Sequence, residues 1–199
     1  MEQLEPPSVL PEPRANGTEP TDAAAIRKRA KSLLAKARWL DYRPYIHPGL
    51  ELDSVIDQLM DFEDDFCWSS TQHADYYARL IRAGFLCIGT DVGSGDHALL
   101  PKIHIKRCLM TDLNNLVVSK GLRKKARRYQ LTLNTVFDDV AAGCIAQHGY
   151  NWLGMVVGSL KQLHQQPRHG VTVHSIEVWK DGQLVAGELG TTVGAVYTR

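Results

Sequence analysis

The sequence predicts an α+β protein, because helix-like and strand-like patterns alternate along the chain and neither type dominates. Residues 50–62 place their apolar side chains at the spacing of a buried helix face. Residues 171–179 instead alternate apolar and polar side chains, and the Asp181-Gly182 pair that follows them is typical of a β-hairpin turn. We therefore expect helices combined with a β-meander near the end of the chain.

The composition is that of an ordinary globular protein. The chain has 199 residues, of which 44% are hydrophobic and 23% charged; this suits one medium domain or two small ones. The 23 Lys and Arg residues stand against 22 Asp and Glu residues, a formal net charge of +1. This balance excludes a uniformly basic nucleic-acid binder and leaves room for a local basic patch.

Cysteine spacing and the amino terminus bear on the cellular compartment. The four cysteines include no CxxC pair, which argues against a zinc ribbon or a thioredoxin-like motif and favours a reduced protein. No apolar run approaches the roughly 18 residues needed to cross a bilayer, and the first residues lack the order of a signal peptide. We expect a cytoplasmic location, no membrane association and no bound metal.

The first part of the chain divides into a tail and a basic helix. Residues 1–22 are rich in proline and poor in large apolar side chains, a composition that predicts a disordered tail. Residues 23–48 are predicted to form a basic amphipathic helix over 23–40, capped at Thr21-Asp22, and a linker. This helix either contacts phosphates or a membrane surface, or docks its apolar stripe on the protein; docking is the commoner role.

Residues 49–118 are predicted to form a small N-terminal α/β domain. Helical patterns at 50–62 and 71–85, the second ending at a C-cap position for Gly84, precede a strand, turn and strand around GTDVGSGDHALLP. The GSGD sequence does not predict a phosphate loop, because no helix beginning with Lys-Ser/Thr follows it.

The sharpest charge feature is a basic run after Ser119, the predicted cap of a helix with the sequence KGLRKKARRYQL. Residues 120–128 contain six basic residues and no acid, whereas charge signs normally alternate on a merely solvated helix face. We predict that the run binds RNA phosphates, with a solvated face as the alternative. Its basic residues are Lys120, Arg123, Lys124, Lys125, Arg127 and Arg128.

Other residues are weaker candidates for chemistry. Each of the four tryptophans could stack on a base, although core packing is the commoner role. Glu177 and Glu188 lie on adjacent predicted strands and could face a common site, although structural roles are more common. No local pattern marks a catalytic cysteine.

Several of these segments together resemble the leucyl/phenylalanyl-tRNA–protein transferase family. HSIEVWKDGQLVAG resembles the family's H-S-V-E-V-W-x-D-G-x-L-V-G-G stretch, which begins its acetyltransferase-like (GNAT) domain, and SKGLRKKARRY resembles its S-R-S-L-R-K-type segment. Asn151-Trp152-Leu153 resembles its T-W-I-type motif. The resemblance covers roughly residues 68–199, and Phe66-Cys67-Trp68 and the NWL form are closer to eukaryotic members.

The resemblance implies a transferase that moves leucine or phenylalanine from aminoacyl-tRNA to the N-terminal Arg or Lys of an acceptor protein, marking it for degradation, without a cofactor. It implies that Trp152 stacks on the substrate and that the basic run contacts tRNA. Glu188 falls in the amino-acid pocket, where bacterial members carry an apolar residue. Residues 119–199 would then contain the basic helix, the tryptophan motif and the first strands of an incomplete GNAT-like domain with a mixed sheet.

The chain also departs from the family pattern. The G-E-S-M-F-type catalytic motif and the Asp-x-Gln pair are expected just beyond Arg199, so we predict no catalytic residue within the chain and expect it to be truncated. GTDVGSGDHALLP occupies the place of the bacterial W-W-S-P segment. Two other interpretations stay open: a non-catalytic RNA-binding module and an inactive truncated product.

Overall fold

A computed structural model describes residues 22–60, 65–104 and 106–199. Apart from Asp22, the tail predicted for residues 1–22 lies outside the described residues. The α-helices are α1 (Ala23–Lys36), α2 (Leu52–Met60), α3 (Ala74–Arg82), α4 (Lys120–Ala126), α5 (Phe137–His148), α6 (Tyr150–Leu153) and α7 (Val157–Gln165). The strands are β1 (Phe85–Gly93), β2 (Asp96–Ile103), β3 (Gln130–Leu133), β4 (Val171–Lys180), β5 (Gln183–Val193) and β6 (Val196–Thr198). Arg38–Tyr42 and Leu113–Asn115 form short 3-10 helices.

Helix α1 begins at the predicted cap and ends earlier than predicted. The Asp22 carboxylate accepts a hydrogen bond from the Ala24 backbone N–H at 2.7 Å, which satisfies one of the free donors of the first turn. The helix stops at Lys36, because Leu40 N–H then bonds to Ala37 O at 3.0 Å in a tighter 3-10 turn. The predicted helix to Leu40 is therefore two shorter elements.

The apolar stripe of α1 docks on the protein, which is the commoner of the two roles considered for it. Ala30, Leu33, Ala37 and Leu40 form one buried cluster with Trp68, Val92 and Ala98. Val92 and Ala98 belong to the hairpin of β1 and β2. These two strands pair antiparallel, which confirms the predicted strand, turn and strand.

The second sheet has four strands in the order β3-β4-β5-β6, and every neighbouring pair is antiparallel. The turn between β4 and β5 places Asp181 at φ 51° and Gly182 at φ 77°. Two successive positive φ values are what a two-residue hairpin requires, so the Asp-Gly prediction is confirmed. Helices and antiparallel sheets together confirm the α+β class; the GNAT assignment stays a prediction.

Helices α5 and α7 cover one face of the second sheet and leave the other face open. Alternate residues of β4, from Val171 through Val173 and Ser175 to Glu177, are fully buried on the covered face. The main core runs from Ile46 to Val173 and joins these helices to α3 and β1, so it draws on both sides of the predicted boundary at residue 118. The open face of the sheet is the surface that can receive a ligand.

None of the described helices has the length and apolar character needed to span a membrane.

Candidate functional site

The strand register separates Glu177 from Glu188. Residues directly opposite each other in an antiparallel pair point to the same face of the sheet. Glu177 pairs with Gly187, whereas Glu188 pairs with Ile176. A one-residue offset reverses the face, so the two carboxylates lie on opposite sides of the sheet, and the less favoured alternative of a common site does not hold.

Glu177 binds the segment that connects β3 to α5 through hydrogen bonds. Its buried carboxylate accepts hydrogen bonds from the hydroxyls of Thr132 at 2.6 Å, Thr135 at 2.7 Å and Ser175 at 2.6 Å. It also accepts the backbone N–H groups of Thr135 at 3.2 Å and Val136 at 3.4 Å. Burial raises the pKa of Glu177, but these hydrogen bonds outweigh it and bring the pKa to about 2. Glu177 is therefore an ionised structural anchor at the start of α5.

Two of the tryptophans serve the fold. The Trp179 indole Nε1–H donates to the Thr132 hydroxyl at 2.8 Å, and that hydroxyl in turn donates to Glu177. Trp68 is buried in the cluster beneath α1. Trp68 thus has the commoner role of core packing, whereas the partly buried Trp179 is held by its hydrogen bond.

Glu188 is paired on the open face of the sheet. The Tyr197 hydroxyl donates to its carboxylate at 2.5 Å, and Arg199 Nη1 donates to it at 3.1 Å. Burial and the adjacent Glu188 carboxylate both raise the pKa of Tyr197. Glu188 is therefore half-buried with two partners, and its charge is compensated by Arg199.

His174 lies on the same face, directly opposite Gly190. Its Nδ1 lies 3.2 Å from the Asn134 side-chain Nδ2, and its Nε2 lies 2.9 Å from the Thr192 hydroxyl. Because an amide nitrogen only donates, Nδ1 must accept, and the proton of the neutral ring belongs on Nε2. The Asn134 side-chain oxygen also accepts a hydrogen bond from the Ser175 backbone N–H at 3.1 Å. The Asn134 backbone has the left-handed conformation, with φ 60°.

We call these polar groups the open-face cluster; its members are Asn134, His174, Glu188, Thr192, Tyr197 and Arg199. Only Glu188 was a candidate from the sequence. The shared face of His174, Glu188 and Thr192 follows from their even spacing once the register is known. The contributions of Asn134 and Tyr197 come from tertiary contacts.

An apolar row borders the open-face cluster. Leu133 pairs with Ile176, and Ile176 pairs with Glu188, so these three side chains stand side by side on the open face. Leu133 is 58% exposed and Leu131, two residues earlier, is 71% exposed. The face thus offers apolar surface beside a carboxylate, which suits a ligand that has an apolar side chain and a cationic amine.

The basic run is exposed along its whole length, but only part of it is helical. Ser119 accepts the Leu122 backbone N–H at 3.1 Å, which confirms the predicted cap. The helix ends at Ala126, so the extension to residue 131 is wrong, because Gln130 already pairs with Trp179 of β4. All six cations are free of ion pairs within the described part of the chain; Lys120, Arg123, Lys124 and Lys125 lie on α4, and Arg127 and Arg128 lie in the turn after it.

Trp152 lies on the short helix α6 and is 36% exposed. Its ring meets that of His148 edge-on, with centroids 5.8 Å apart and an interplanar angle of 74°. No hydrogen bond or ring contact within the described residues joins Trp152 to Glu188 or to the basic run. Trp152 is thus partly exposed, whereas Trp68 is buried.

The described residues contain no group of three or more His, Cys, Asp or Glu side chains placed to hold a metal ion. Burial raises the pKa of the Cys67 thiol to about 12, and it raises that of Cys87 as well. A thiol nucleophile needs a lowered pKa, so these two cysteines are structural.

Comparison with known proteins matches residues 110–199 to the family described as Leucyl/phenylalanyl-tRNA protein transferase. The enzyme of that name from Proteus mirabilis is 36% identical over 85 residues, which cover 41% of this chain and 35% of the relative. The one from Psychrobacter arcticus is 35% identical over 102 residues, 46% of this chain and 36% of the relative. The chain spans little more than a third of the length of these relatives. The resemblance predicted from the sequence is confirmed over this region.

Proposed function

We propose, from the match of residues 110–199 to the leucyl/phenylalanyl-tRNA–protein transferases, that this chain is part of an aminoacyl-tRNA–protein transferase. It would move leucine or phenylalanine to the N-terminal Arg or Lys of an acceptor protein and so mark that protein for degradation. A eukaryotic-type member and a cytoplasmic location are parts of the same proposal, the latter because cysteines without CxxC spacing suit a reducing compartment. The division at residue 118 and a GNAT-like second domain also belong to it.

The observation that carries the proposal is the open face of the second sheet. The row of Leu133 and Ile176 offers apolar surface to a leucine or phenylalanine side chain, and Glu188 stands at the end of this row. An α-ammonium group of the aminoacyl moiety would find a carboxylate there. Arg199 competes for the same carboxylate, so substrate binding would exchange one cationic partner for another.

The reaction is aminolysis of an ester. The neutral α-amine of the acceptor attacks the ester carbonyl carbon, a new C–N bond forms, and the C–O bond to the ribose of tRNA breaks. The amine loses one proton and the departing ribose oxygen gains one. An α-amine has an ordinary pKa of about 7.7–8.0, so modest proton transfer and stabilisation of the oxyanion are enough.

The remaining predicted residues are assigned to tRNA. The exposed cations of the basic run would contact phosphates of the acceptor arm, since clustered Lys and Arg release condensed counterions. The partly exposed ring of Trp152 would stack on the terminal adenosine. Both groups lie within the residues that match the family.

Transfer of labelled leucine from Leu-tRNA to an Arg-initiated peptide tests the proposal, on a protein that also contains the catalytic segment which the resemblance implies. We expect labelled peptide with Arg or Lys at its first position and none with Asp. A chain that binds charged tRNA, yet transfers nothing and binds unrelated structured RNA equally well, would be an RNA-binding module instead. A chain that neither binds nor transfers would be the inactive product.

A further inference from the structure

The outer side of α1 forms a second basic surface, remote in sequence from the basic run. Each helical residue advances about 100° around the axis. Ile26, Ala30 and Leu33 are buried, and this rotation places three exposed cations on the side that faces away from them. We call these three residues, Arg27, Lys28 and Lys31, the α1 cations.

The charge on α1 is unbalanced. Its 14 residues contain five basic side chains and no acid. Lys36 pairs with Asp96 of β2, whereas within the described residues the α1 cations have no ion-pair partner. An ordinary solvated helix face mixes charges of both signs, so these unpaired cations favour an anionic partner.

Exposed aromatic rings continue this surface into the 3-10 helix that follows. Tyr42 is 81% exposed and Trp39 is 39% exposed, and the Arg43 guanidinium lies 5.3 Å from the centroid of the Trp39 ring. Cations beside accessible aromatic rings are typical of surfaces that bind nucleic acid, because the cations contact phosphates and the rings stack on bases. Asp41 is the acidic residue of this short helix.

The docking of α1 argues against a membrane as the partner. An interfacial helix binds lipid by burying its apolar face among the acyl chains. That face of α1 is already occupied, since Leu33 belongs to one buried cluster with Val92 and Ala98 of the hairpin. What remains outside is charge and aromatic surface.

We propose that the α1 cations bind the phosphate backbone of tRNA at a second place, in addition to the basic run, and that Tyr42 stacks on a base beside them. That the bound RNA is tRNA rests on the proposed function. The basic surface is observed independently of that function. The surface lies outside residues 110–199, the part that matches the family. It would add affinity without reading sequence, because phosphate contacts carry no base information.

Binding of uncharged tRNA across a salt series tests this proposal. Lys28→Glu and Lys31→Glu should each weaken binding about tenfold at moderate salt and flatten the slope of log affinity against log salt by about one unit. The double variant should flatten the slope by about two units. Lys180→Glu, an equal charge change at the exposed β4–β5 turn, is the matched control and should change binding little. Tyr42→Ala should lower affinity without changing the salt slope.

The outcomes separate this proposal from the transferase proposal, since binding of uncharged tRNA requires no transfer. Weaker binding by the α1 variants of a chain that transfers nothing would support the surface and overturn only the activity. An unchanged salt slope would overturn the proposal that the α1 cations bind tRNA. Variants that lose binding to anionic vesicles but bind tRNA normally would overturn it too. If circular dichroism shows that a charge-reversal variant unfolds at a lower temperature, the neutral variant Lys31→Gln takes its place. We expect this variant to lower tRNA affinity by about half as much as the reversal does.

Discussion

Gly190 lies directly beneath Tyr197, so that a Cβ atom at position 190 would overlap the Tyr197 hydroxyl. The absence of a side chain lets the phenol cross β5 and donate its hydrogen bond to Glu188. This hydrogen bond ties β6 to the open-face cluster, because Glu188 also accepts from Arg199 at the end of the chain.

Gly190→Ala should therefore displace Tyr197 and release Glu188. The strain of overpacking at such a site costs about 1–3 kcal/mol, and we expect thermal unfolding to show a loss in that range. Leucine transfer should fall as well, if the open face holds the aminoacyl group. Gly143→Ala is the control, because that helical glycine has open space around its Cβ position; it should stabilise by about 0.5–1 kcal/mol. Equal melting of the two variants would contradict the close approach of Tyr197 to Gly190.

Glu177→Gln should destabilise the protein while leaving the open face chemically unchanged. The substitution replaces charge-assisted hydrogen bonds from Thr132, Thr135 and Ser175 with weaker neutral ones, and such bonds contribute about 1.5–3 kcal/mol. Denaturant unfolding at neutral pH measures the loss. The control Glu188→Gln removes an acid with only two partners among the described residues and should cost less.

Acid should destabilise the protein through the same carboxylate. The pKa of Glu177 is lowered from its ordinary 4.5 to about 2 in the folded state. A lowered folded pKa contributes stability that is present above pH 4.5 and is lost as the pH falls toward 2. Unfolding free energies measured across this interval should fall more steeply for the wild type than for Glu177→Gln. Parallel curves would show that another group governs the acid response.

Trp152→Ala should weaken the productive use of tRNA by about 1–3 kcal/mol, the value of one stacked base. The ring is partly exposed, so the melting temperature should change little. Trp68→Ala provides the contrast: it removes a buried ring and should cost about 3–5 kcal/mol of stability. A collapsed melt for Trp152→Ala would instead assign that ring to the core.

Charge reversal at Lys124 and Arg128 should lower the affinity for every tRNA by a similar factor. Both side chains are exposed, and each phosphate that a variant no longer neutralises should flatten the salt slope by about one unit. Residues four apart on a continuous helix share a face, but Arg128 lies in the turn after α4, so each reversal is also tested singly. Lys180→Glu serves as the charge control here too. A loss confined to one tRNA would indicate base reading.

Features that depend on neighbours along the chain were predictable. The cap at Ser119 and the hairpin at Asp181-Gly182 each follow from a hydrogen bond or a backbone angle that one or two residues supply themselves. The fold class followed for the same reason, since hydrophobic periodicity reflects which face of each element is buried. The exposure of the basic run was predictable from the charge of its own residues.

Features that depend on pairing across the chain were not predictable. Helix α4 ends where β3 begins to pair with β4, a partner some fifty residues away that local propensity does not register. The opposite faces of Glu177 and Glu188 were set by a strand register in which one residue of offset reverses every side chain. Local sequence thus specifies the types of element and the charge of their surfaces. Which side chains meet is settled only in the folded chain, because register and packing depend on contacts between distant segments.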